Sequence, residues 1–186
     1  QGNIDVLVRW NLPNLTELEL SENLLFGGIP SDIGDSWLGI NNKLNSLRLD
    51  HNYLGCAEYD YSCVPEGEWD FETCCITHCD ETDDCSAEIP SSIGNLGSLQ
   101  FLHLFKNGLT GKIPKEIGNL QNLRGLSLYN NRITGTIPGE IGNMVNLKWL
   151  SLNQNQLYGV VPGEIDNLSN LQELFLGGNS LSGVFP

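Results

Sequence analysis

The chain has 186 residues, a hydrophobic fraction of 40% and a formal net charge of −14 at pH 7. It carries nine Lys and Arg residues against 23 acidic ones, so no basic face is available, and we expect no nucleic-acid partner. Eleven of the acids lie within residues 57–88, where no Lys or Arg occurs. The acidity is therefore local, and the rest of the chain is nearly balanced in charge.

A repeated pattern, L-x-x-L-x-L-x-x-N-x-L-x-G-x-I-P, organises the chain from Leu15 onward. Copies begin at Leu15, Leu44, Leu99, Leu123, Leu147 and Leu171, and the last four are spaced by 24 residues. A fixed period of about 20 to 29 residues with this leucine spacing is typical of a leucine-rich repeat solenoid. We predict an α/β leucine-rich repeat solenoid, a curved right-handed coil with a parallel β-sheet on its concave face.

Each copy contributes one short strand, because its L-x-L stretch alternates apolar and polar residues. In the fourth copy, we expect Leu126 and Leu128 to point inward and Gly125, Ser127 and Tyr129 to point outward. The Ile-Pro step forces an extended segment. The I-G-N-L stretch after it is too short for a full helix and predicts a 3₁₀ turn or a short helix on the convex face.

Two further columns of the repeat have physical roles. A buried Asn is costly unless its amide is fully bonded, so we expect each one to bond the backbone of its own turn and of the adjacent coil. The glycines suit a turn with unusual dihedral angles. The Asn column comprises Asn23, Asn52, Asn107, Asn131, Asn155 and Asn179, and the Gly column comprises Gly27, Gly111, Gly135, Gly159 and Gly183.

With its G-x-I-P segment, the repeat resembles the plant-type leucine-rich repeat family. The resemblance implies a second small sheet and a twisted superhelix. It also implies function by binding, as in receptor ectodomains and in secreted inhibitors of cell-wall-degrading enzymes. We therefore predict a non-catalytic protein-binding or scaffold module of an extracellular, secreted protein, with an organelle lumen as the alternative location.

The period breaks in two places. Five extra residues around 35–39 predict a surface loop on the convex side. The spacing of 55 residues between Leu44 and Leu99 exceeds one repeat by 31 residues. We therefore divide the chain into N-terminal coils 1–55, an acidic cysteine-rich insertion 56–88 and regular coils 89–186. The insertion holds all six cysteines, Cys56, Cys63, Cys74, Cys75, Cys79 and Cys85.

Six cysteines in about thirty residues predict disulfides in an exported chain, and their pairing stays open. Zinc on Cys74, Cys75, His78 and Cys79 is the alternative, but zinc sites usually show two separated C-x-x-C-like pairs. A calcium site within 80–84 lacks the EF-hand spacing and its glycine. We expect no metal and no cofactor.

The cysteine spacing is also similar to that of cysteine-rich segments in secreted leucine-rich repeat proteins of algae such as diatoms. In those proteins the segment commonly closes the repeat array, whereas here the repeats continue after it.

Candidate binding residues lie at the outward positions of the concave strands. The first of these strands is acidic, and the later ones are aromatic. Exposed aromatic residues need a reason and are enriched in interface hot spots. The alternative is that they pack on one another or under the insertion. The candidate set is Phe101, His103, Phe105, Tyr129, Trp149 and Phe175.

The favoured partner is another protein, which contacts the concave aromatics, the acidic insertion or both. A cell-wall glycan is the second possibility, because aromatic faces stack on sugars. An ice-binding solenoid is the third, although only Thr110 and Thr134 align in the hydroxyl column. We expect no enzymatic activity, because the three histidines (His51, His78 and His103) accompany no nucleophile motif.

Asn14 and Asn167 stand in N-x-[ST] sequons and are glycosylation candidates. No signal peptide or membrane anchor is visible. The first residues fit the G-x-I-P step with Asp5 in place of Pro, and the last residues stop within a repeat. We therefore expect the chain to be part of a longer protein.

Overall fold

A computed structural model of the chain describes residues 2–4, 12–35, 43–59, 75–79 and 86–183. The predicted convex loop around 35–39 lies outside the described residues except for Asp35, and so do Cys63, Cys74 and Cys85. The described strands are β1 Gly2–Asn3, β2 Glu17–Glu19, β3 Leu25–Gly27, β4 Ser46–Arg48, β5 Tyr53–Leu54, β6 Cys56–Tyr59, β7 Cys75–His78, β8 Phe101–His103, β9 Gly125–Ser127, β10 Thr134–Gly135, β11 Trp149–Ser151, β12 Gln156–Gly159, β13 Glu173–Phe175 and β14 Ser180–Leu181.

The concave face is a six-stranded parallel sheet in the order β2-β4-β8-β9-β11-β13, with one strand from each coil. The central leucine of each strand aligns with that of the next, as Leu102 does with Leu126 and Leu126 with Leu150. These three side chains are fully buried. The predicted solenoid and its parallel sheet are confirmed.

One hydrophobic core runs between the concave and convex faces and collects the leucine and isoleucine columns of successive coils. Leu126 and Leu128 are both fully buried, as predicted. Each such side chain contributes about 1.5 to 3 kcal/mol relative to full exposure. No single coil could enclose these residues alone, so each coil depends on its neighbours.

The asparagine column bonds the coils together as predicted, except at Asn23, which is exposed and, within the described residues, bonds only its own turn. Asn131 Nδ2 donates to Leu128 O of its own turn at 3.0 Å and to Leu104 O of the preceding coil at 3.0 Å. Asn131 Oδ1 accepts from Leu109 N, also of the preceding coil, at 3.1 Å. The same arrangement recurs at Asn52, Asn107, Asn155 and Asn179.

The convex face carries short 3₁₀ helices, each of which follows a proline. The proline is extended in each case, for example Pro138 with φ −69° and ψ 140°. The Ile-Pro step and the short I-G-N-L stretch therefore form five-residue 3₁₀ helices, which confirms the prediction of a 3₁₀ turn. They span Ser91–Asn95, Lys115–Asn119, Gly139–Asn143 and Gly163–Asn167.

A smaller second sheet lies beside the turn that carries the glycine column. It consists of β1-β3-β5 and β10-β12-β14, and isolated bridges of Glu88 with Thr110 and of Lys112 with Thr134 lie between them. This confirms the second sheet that the plant-type resemblance implied. All five glycines of the predicted column have positive φ, between 70° and 91°.

A second column of left-handed residues precedes each asparagine, and the sequence analysis did not identify it. Its members have φ between 51° and 56°, and each backbone N–H donates to a carbonyl of the next coil. Such a conformation costs a non-glycine residue about 1 to 3 kcal/mol and persists only where its surroundings impose it. The residues are Glu22, His51, Lys106, Asn130 and Gln154, and Gly178 takes the same place in the last copy.

The insertion leaves and rejoins its coil at one point of the second sheet. Leu54 O accepts from Gly108 N at 2.8 Å, and Ala87 O accepts from Thr110 N at 2.9 Å. In the regular coils, the two carbonyls that accept the corresponding hydrogen bonds belong to residues two positions apart in sequence. Ala87 thus takes the place that residue 56 would have, and the 31 residues 56–86 form an excursion. Gly55 makes the exit turn with φ +98°.

The described part of the excursion is a two-stranded antiparallel hairpin of β6 and β7. A disulfide joins Cys56 to Cys75, with their Cα atoms 5.7 Å apart, and Cys79 is also disulfide-bonded. Cys79 N donates to Gly55 O at 2.8 Å, and Arg132 Nη1 lies 3.2 Å from His78 Nδ1. The disulfide prediction is therefore confirmed for this pair, and the hairpin contacts two coils.

Among the described residues, no group of three or more His, Cys, Asp and Glu side chains is arranged to hold a metal ion. Nor does any helix in the described part of the chain combine the length and the apolar character that crossing a bilayer requires.

Asn131→Ala is expected to destabilise the fold by at least about 3 kcal/mol, because it leaves two buried carbonyls and one buried N–H without their partner. Asn23→Ala is the matched control, because Asn23 is exposed and, among the described residues, bonds only Leu20 O and Ser21 O of its own turn. It should cost less than about 1 kcal/mol. Urea unfolding measures both, and equal losses would contradict the role assigned to the buried amide.

Deleting residues 56–86, so that Gly55 joins Ala87, is expected to leave a solenoid that unfolds cooperatively. The two carbonyls that bond the next coil stay in register in this variant. A deletion of 56–87 is the control, because it shifts the register by one residue and turns each following side chain to the other face. Circular dichroism and urea unfolding compare the two. Loss of cooperative unfolding in the 56–86 variant would contradict the splice point.

Candidate functional site

Five rings contact one another on the concave face. Phe105 stacks on Tyr129 with centroids 4.5 Å apart, and Phe101 stacks on Trp149 at 6.4 Å. His103 lies between the two stacks, 5.1 Å from Trp149 and 5.9 Å from Phe105. We call these five residues the aromatic cluster. Phe101 and His103 lie on β8 and Trp149 on β11, whereas Phe105 and Tyr129 lie two residues after β8 and β9, so three consecutive coils build the cluster.

His51 extends the aromatic cluster toward the N-terminal coils. Its ring meets Phe105 edge-on at 5.1 Å, although the two residues are separated by the whole insertion in sequence. The contact forms because β4 pairs directly with β8. Phe175, the sixth predicted residue, is 51% exposed on the end strand β13 and makes no ring contact within the described residues.

The aromatic cluster is half-buried, whereas the sequence analysis treated these residues as exposed. The rings cover one another, so both packing and an open surface occur at the same place. Gly125 makes this possible, since a Cβ atom there would overlap Cζ2 of the Trp149 indole. Gly125 and Ser127 face the concave side as predicted, but both are buried there.

His103 is the polar member of the aromatic cluster. Both of its ring nitrogens are buried and have no hydrogen-bond partner in the described part of the chain. Burial lowers the pKa of His103 below its ordinary value, and the positive charge of Arg48 lowers it further, against the smaller effects of Asp50 and Glu19. Burial also raises the pKa of Tyr129, with a contribution from Asp50.

A network of charged side chains adjoins the aromatic cluster on β2 and β4. Asp50 is buried, with 2% of the residue exposed. Its carboxylate accepts a hydrogen bond from Ser21 Oγ at 2.9 Å and lies 3.1 Å from His51 Nδ1. Arg48 Nε is 3.7 Å from Asp50, and Arg48 Nη1 is 2.9 Å from Glu19 Oε2. The burial of Asp50 is not among the predictions made from the sequence.

The charged network has no geometry for nucleophilic catalysis. Ser21 and His51 bind different oxygens of Asp50, so the imidazole does not receive the Ser21 proton. A nucleophile needs its base within hydrogen-bond reach.

The remaining predicted positions lie elsewhere on the surface. Asn14 is exposed and accepts from Lys43 Nζ at 2.7 Å, and Asn167 is exposed at the end of a 3₁₀ helix. Both glycosylation candidates stay predictions. The Thr134 hydroxyl of the column considered for ice binding donates to Gly111 O at 3.0 Å, so the backbone uses it.

Protonating His103 is expected to weaken the fold. Its pKa is lower in the folded state than in the unfolded state, so its contribution to stability is complete above about pH 6.5 and is lost as the pH falls through the folded pKa. Between about pH 7 and pH 5, the free energy of unfolding should fall less in His103→Phe than in the wild type. Urea unfolding at each pH tests this, and identical slopes would contradict it.

Sequence profiles of known families match most of the chain. The profile described as a leucine-rich repeat region matches residues 70–182, and a second leucine-rich repeat profile matches residues 14–36. No curated protein sequence matches the chain.

Solved structures of plant receptors are similar to this chain in fold and sequence. The ectodomain of the Arabidopsis thaliana receptor kinase GASSHO1/SCHENGEN3, in complex with CASPARIAN STRIP INTEGRITY FACTOR 2, is 31% identical with a TM-score of 0.76. That match covers 100% of this chain and 18% of the receptor chain. The ectodomain of the Arabidopsis receptor kinase HAESA, in complex with an N-terminally extended IDA peptide hormone, is 33% identical with a TM-score of 0.74.

The HAESA match covers 100% of this chain and 25% of the receptor chain. A complex of BIR3 and SERK2 from Arabidopsis thaliana is 41% identical over 53% of each chain, with a TM-score of 0.51. This chain therefore spans only about a fifth to a quarter of the two receptor ectodomains that it matches in full. With a family profile over more than half of its residues and these structural relatives, the chain belongs to the leucine-rich repeat family.

Proposed function

We propose that the chain is a non-catalytic protein-binding module that recognises its partner through the aromatic cluster and the adjoining concave side chains. The observation that supports this most strongly is the position of the aromatic cluster. Five rings from three coils stand together on the open face of the sheet, where none of them belongs to the hydrophobic core.

The packing of the aromatic cluster favours binding energetically. Aromatic residues dominate the binding energy of many interfaces, and ring pairs in contact are stabilised by about 0.5 to 1.5 kcal/mol beyond their burial. Because the stacked rings are already fixed, binding a partner orders few additional rotamers, each of which would cost about 0.5 to 1.5 kcal/mol. The half-buried rings still leave surface to be covered.

The relatives support a polypeptide partner. The HAESA structure contains a peptide hormone, and the structure of RGFR1, a plant peptide hormone receptor, contains RGF2. We infer a protein or peptide partner here and an extracellular or lumenal location, which the disulfides and the exposed sequons also favour. The acidic insertion is a second candidate contact surface.

Affinity capture from an extract of the source organism tests the proposal. The wild-type chain is expected to retain a protein that the Phe101→Ala/Trp149→Ala variant loses. The retained protein is identified by mass spectrometry, purified and titrated against both chains by calorimetry. We expect the double variant to bind at least about tenfold more weakly, because it removes two interface aromatics.

Tyr158→Ala is the matched control, since Tyr158 is an aromatic residue with 52% exposure on β12 of the second sheet. It should bind like the wild type, and circular dichroism must show that all three chains are folded. Equal binding by the Phe101→Ala/Trp149→Ala variant would refute the concave assignment. Retention on a glycan array with no protein captured would favour the carbohydrate alternative.

A further inference from the structure

We propose that the concave face binds an extended polypeptide segment in which a Lys or Arg precedes or follows an aromatic or apolar residue by about three positions. The cation binds at Glu17, and the apolar residue lies on the aromatic cluster. This proposal rests on the proposed function and specifies the partner of the same face.

A single row of side chains crosses the sheet through the aromatic cluster. In the register of the strands, Glu17 of β2 pairs with Ser46 of β4, which pairs with Phe101 of β8. The row continues through Gly125 of β9 to Trp149 of β11. It therefore alternates a carboxylate, a small residue, a ring, a glycine and a second ring. The small side chain at Ser46 leaves a path between the carboxylate and the first ring.

In the described part of the chain, no cation pairs with the carboxylate of this row. Glu17 is exposed, and its side chain makes no hydrogen bond or ion pair within the described residues. Glu19, in the adjacent row, is already paired with Arg48, and Arg48 also faces the buried Asp50. Among the described residues, nothing therefore compensates the local negative charge at Glu17, which favours a cationic group of the partner.

The aromatic rings favour an apolar or aromatic residue of the partner. Such a residue adds buried apolar area, and an aromatic one can pack on the rings in an offset-stacked or edge-to-face arrangement. A partner cation near Glu17 and an apolar residue over Phe101 and Trp149 would therefore each meet a suitable surface along one row.

The spacing of the strands sets the spacing of the two partner residues. Neighbouring strands lie about 4.8 Å apart, so Glu17 and Phe101 are separated by roughly 10 Å across β4. An extended chain advances about 3.3 Å per residue. A segment that crosses the strands thus needs its cation and its apolar residue about three positions apart.

Glu173 provides a matched control at the other end of the row. It pairs directly with Trp149, one strand away, and is also exposed. Measured from Phe101, as for Glu17, Glu173 lies three strands away at roughly 14 Å, which needs about four positions of an extended chain, so a peptide with the three-position spacing does not reach it. We therefore expect its charge to have little effect on the same partner.

The test is selection from a phage-displayed library of random linear peptides of about twelve residues, which can cross all six strands of the sheet. The full wild-type chain is the bait, and phage that bind Phe101→Ala/Trp149→Ala are removed first. Enriched peptides are synthesised and titrated against the wild type, Glu17→Gln, Glu17→Lys and Glu173→Lys. Binding is measured at ionic strengths of about 0.01 M and 0.15 M, where the Debye length is about 30 Å and 8 Å.

We expect enriched peptides to carry Lys or Arg about three positions from an aromatic or apolar residue. Glu17→Gln should weaken binding about threefold and reduce its salt dependence, as one solvated ion pair would. Glu17→Lys should weaken it at least about tenfold, because it places two cations together. Glu173→Lys should stay within about twofold of the wild type.

The other outcomes separate the two proposals. Peptides that require Phe101 and Trp149, but carry no basic residue at this spacing and bind Glu17→Lys normally, would overturn the cation proposal and leave the proposed function intact. If no enriched peptide depended on the aromatic pair, both proposals would fail.

Discussion

The whole solenoid depends on a buried side-chain amide that ties each coil to the one before it. Asn131 illustrates the constraint, since it fills the hydrogen bonds of two carbonyls and one N–H that would otherwise be buried without partners. The residue before each of these asparagines is held in the left-handed region, with its N–H on the next coil. The amide column therefore fixes the rise and the register of the coils, and every row on the concave face follows from that register.

The register explains how the insertion can interrupt the sequence without interrupting the binding face. Because Ala87 resumes the coil where residue 56 would stand, β4 and β8 are neighbours in the sheet. His51 consequently meets Phe105, and Glu17 and Phe101 share a row. The proposed recognition surface thus combines side chains from both sides of the excursion. The Cys56–Cys75 disulfide holds the two strands of the hairpin together outside that sheet.

Columns with a fixed residue type were predictable from the sequence, and properties set by neighbouring coils were not. The parallel sheet was predictable from the leucine spacing, the amide bonds from the asparagines, and the 3₁₀ helices from the Ile-Pro step. The left-handed column escaped prediction because Glu, His, Lys, Asn and Gln all occupy it. The half-burial of Trp149 depends on Gly125 in the adjacent strand, and the burial of Asp50 depends on Ser21 and Arg48, so neither follows from its own position.

The most direct test of this account is the contact between His51 and Phe105, whose ring centroids are 5.1 Å apart across the insertion. Proton nuclear Overhauser spectroscopy on the intact chain measures it, with the Phe105–Tyr129 stack at 4.5 Å as an internal reference. The account predicts cross-peaks between the His51 and Phe105 ring protons as well as those of the reference pair. Reference cross-peaks without any between His51 and Phe105 would show that the sheet is not continuous across the insertion, and would contradict it.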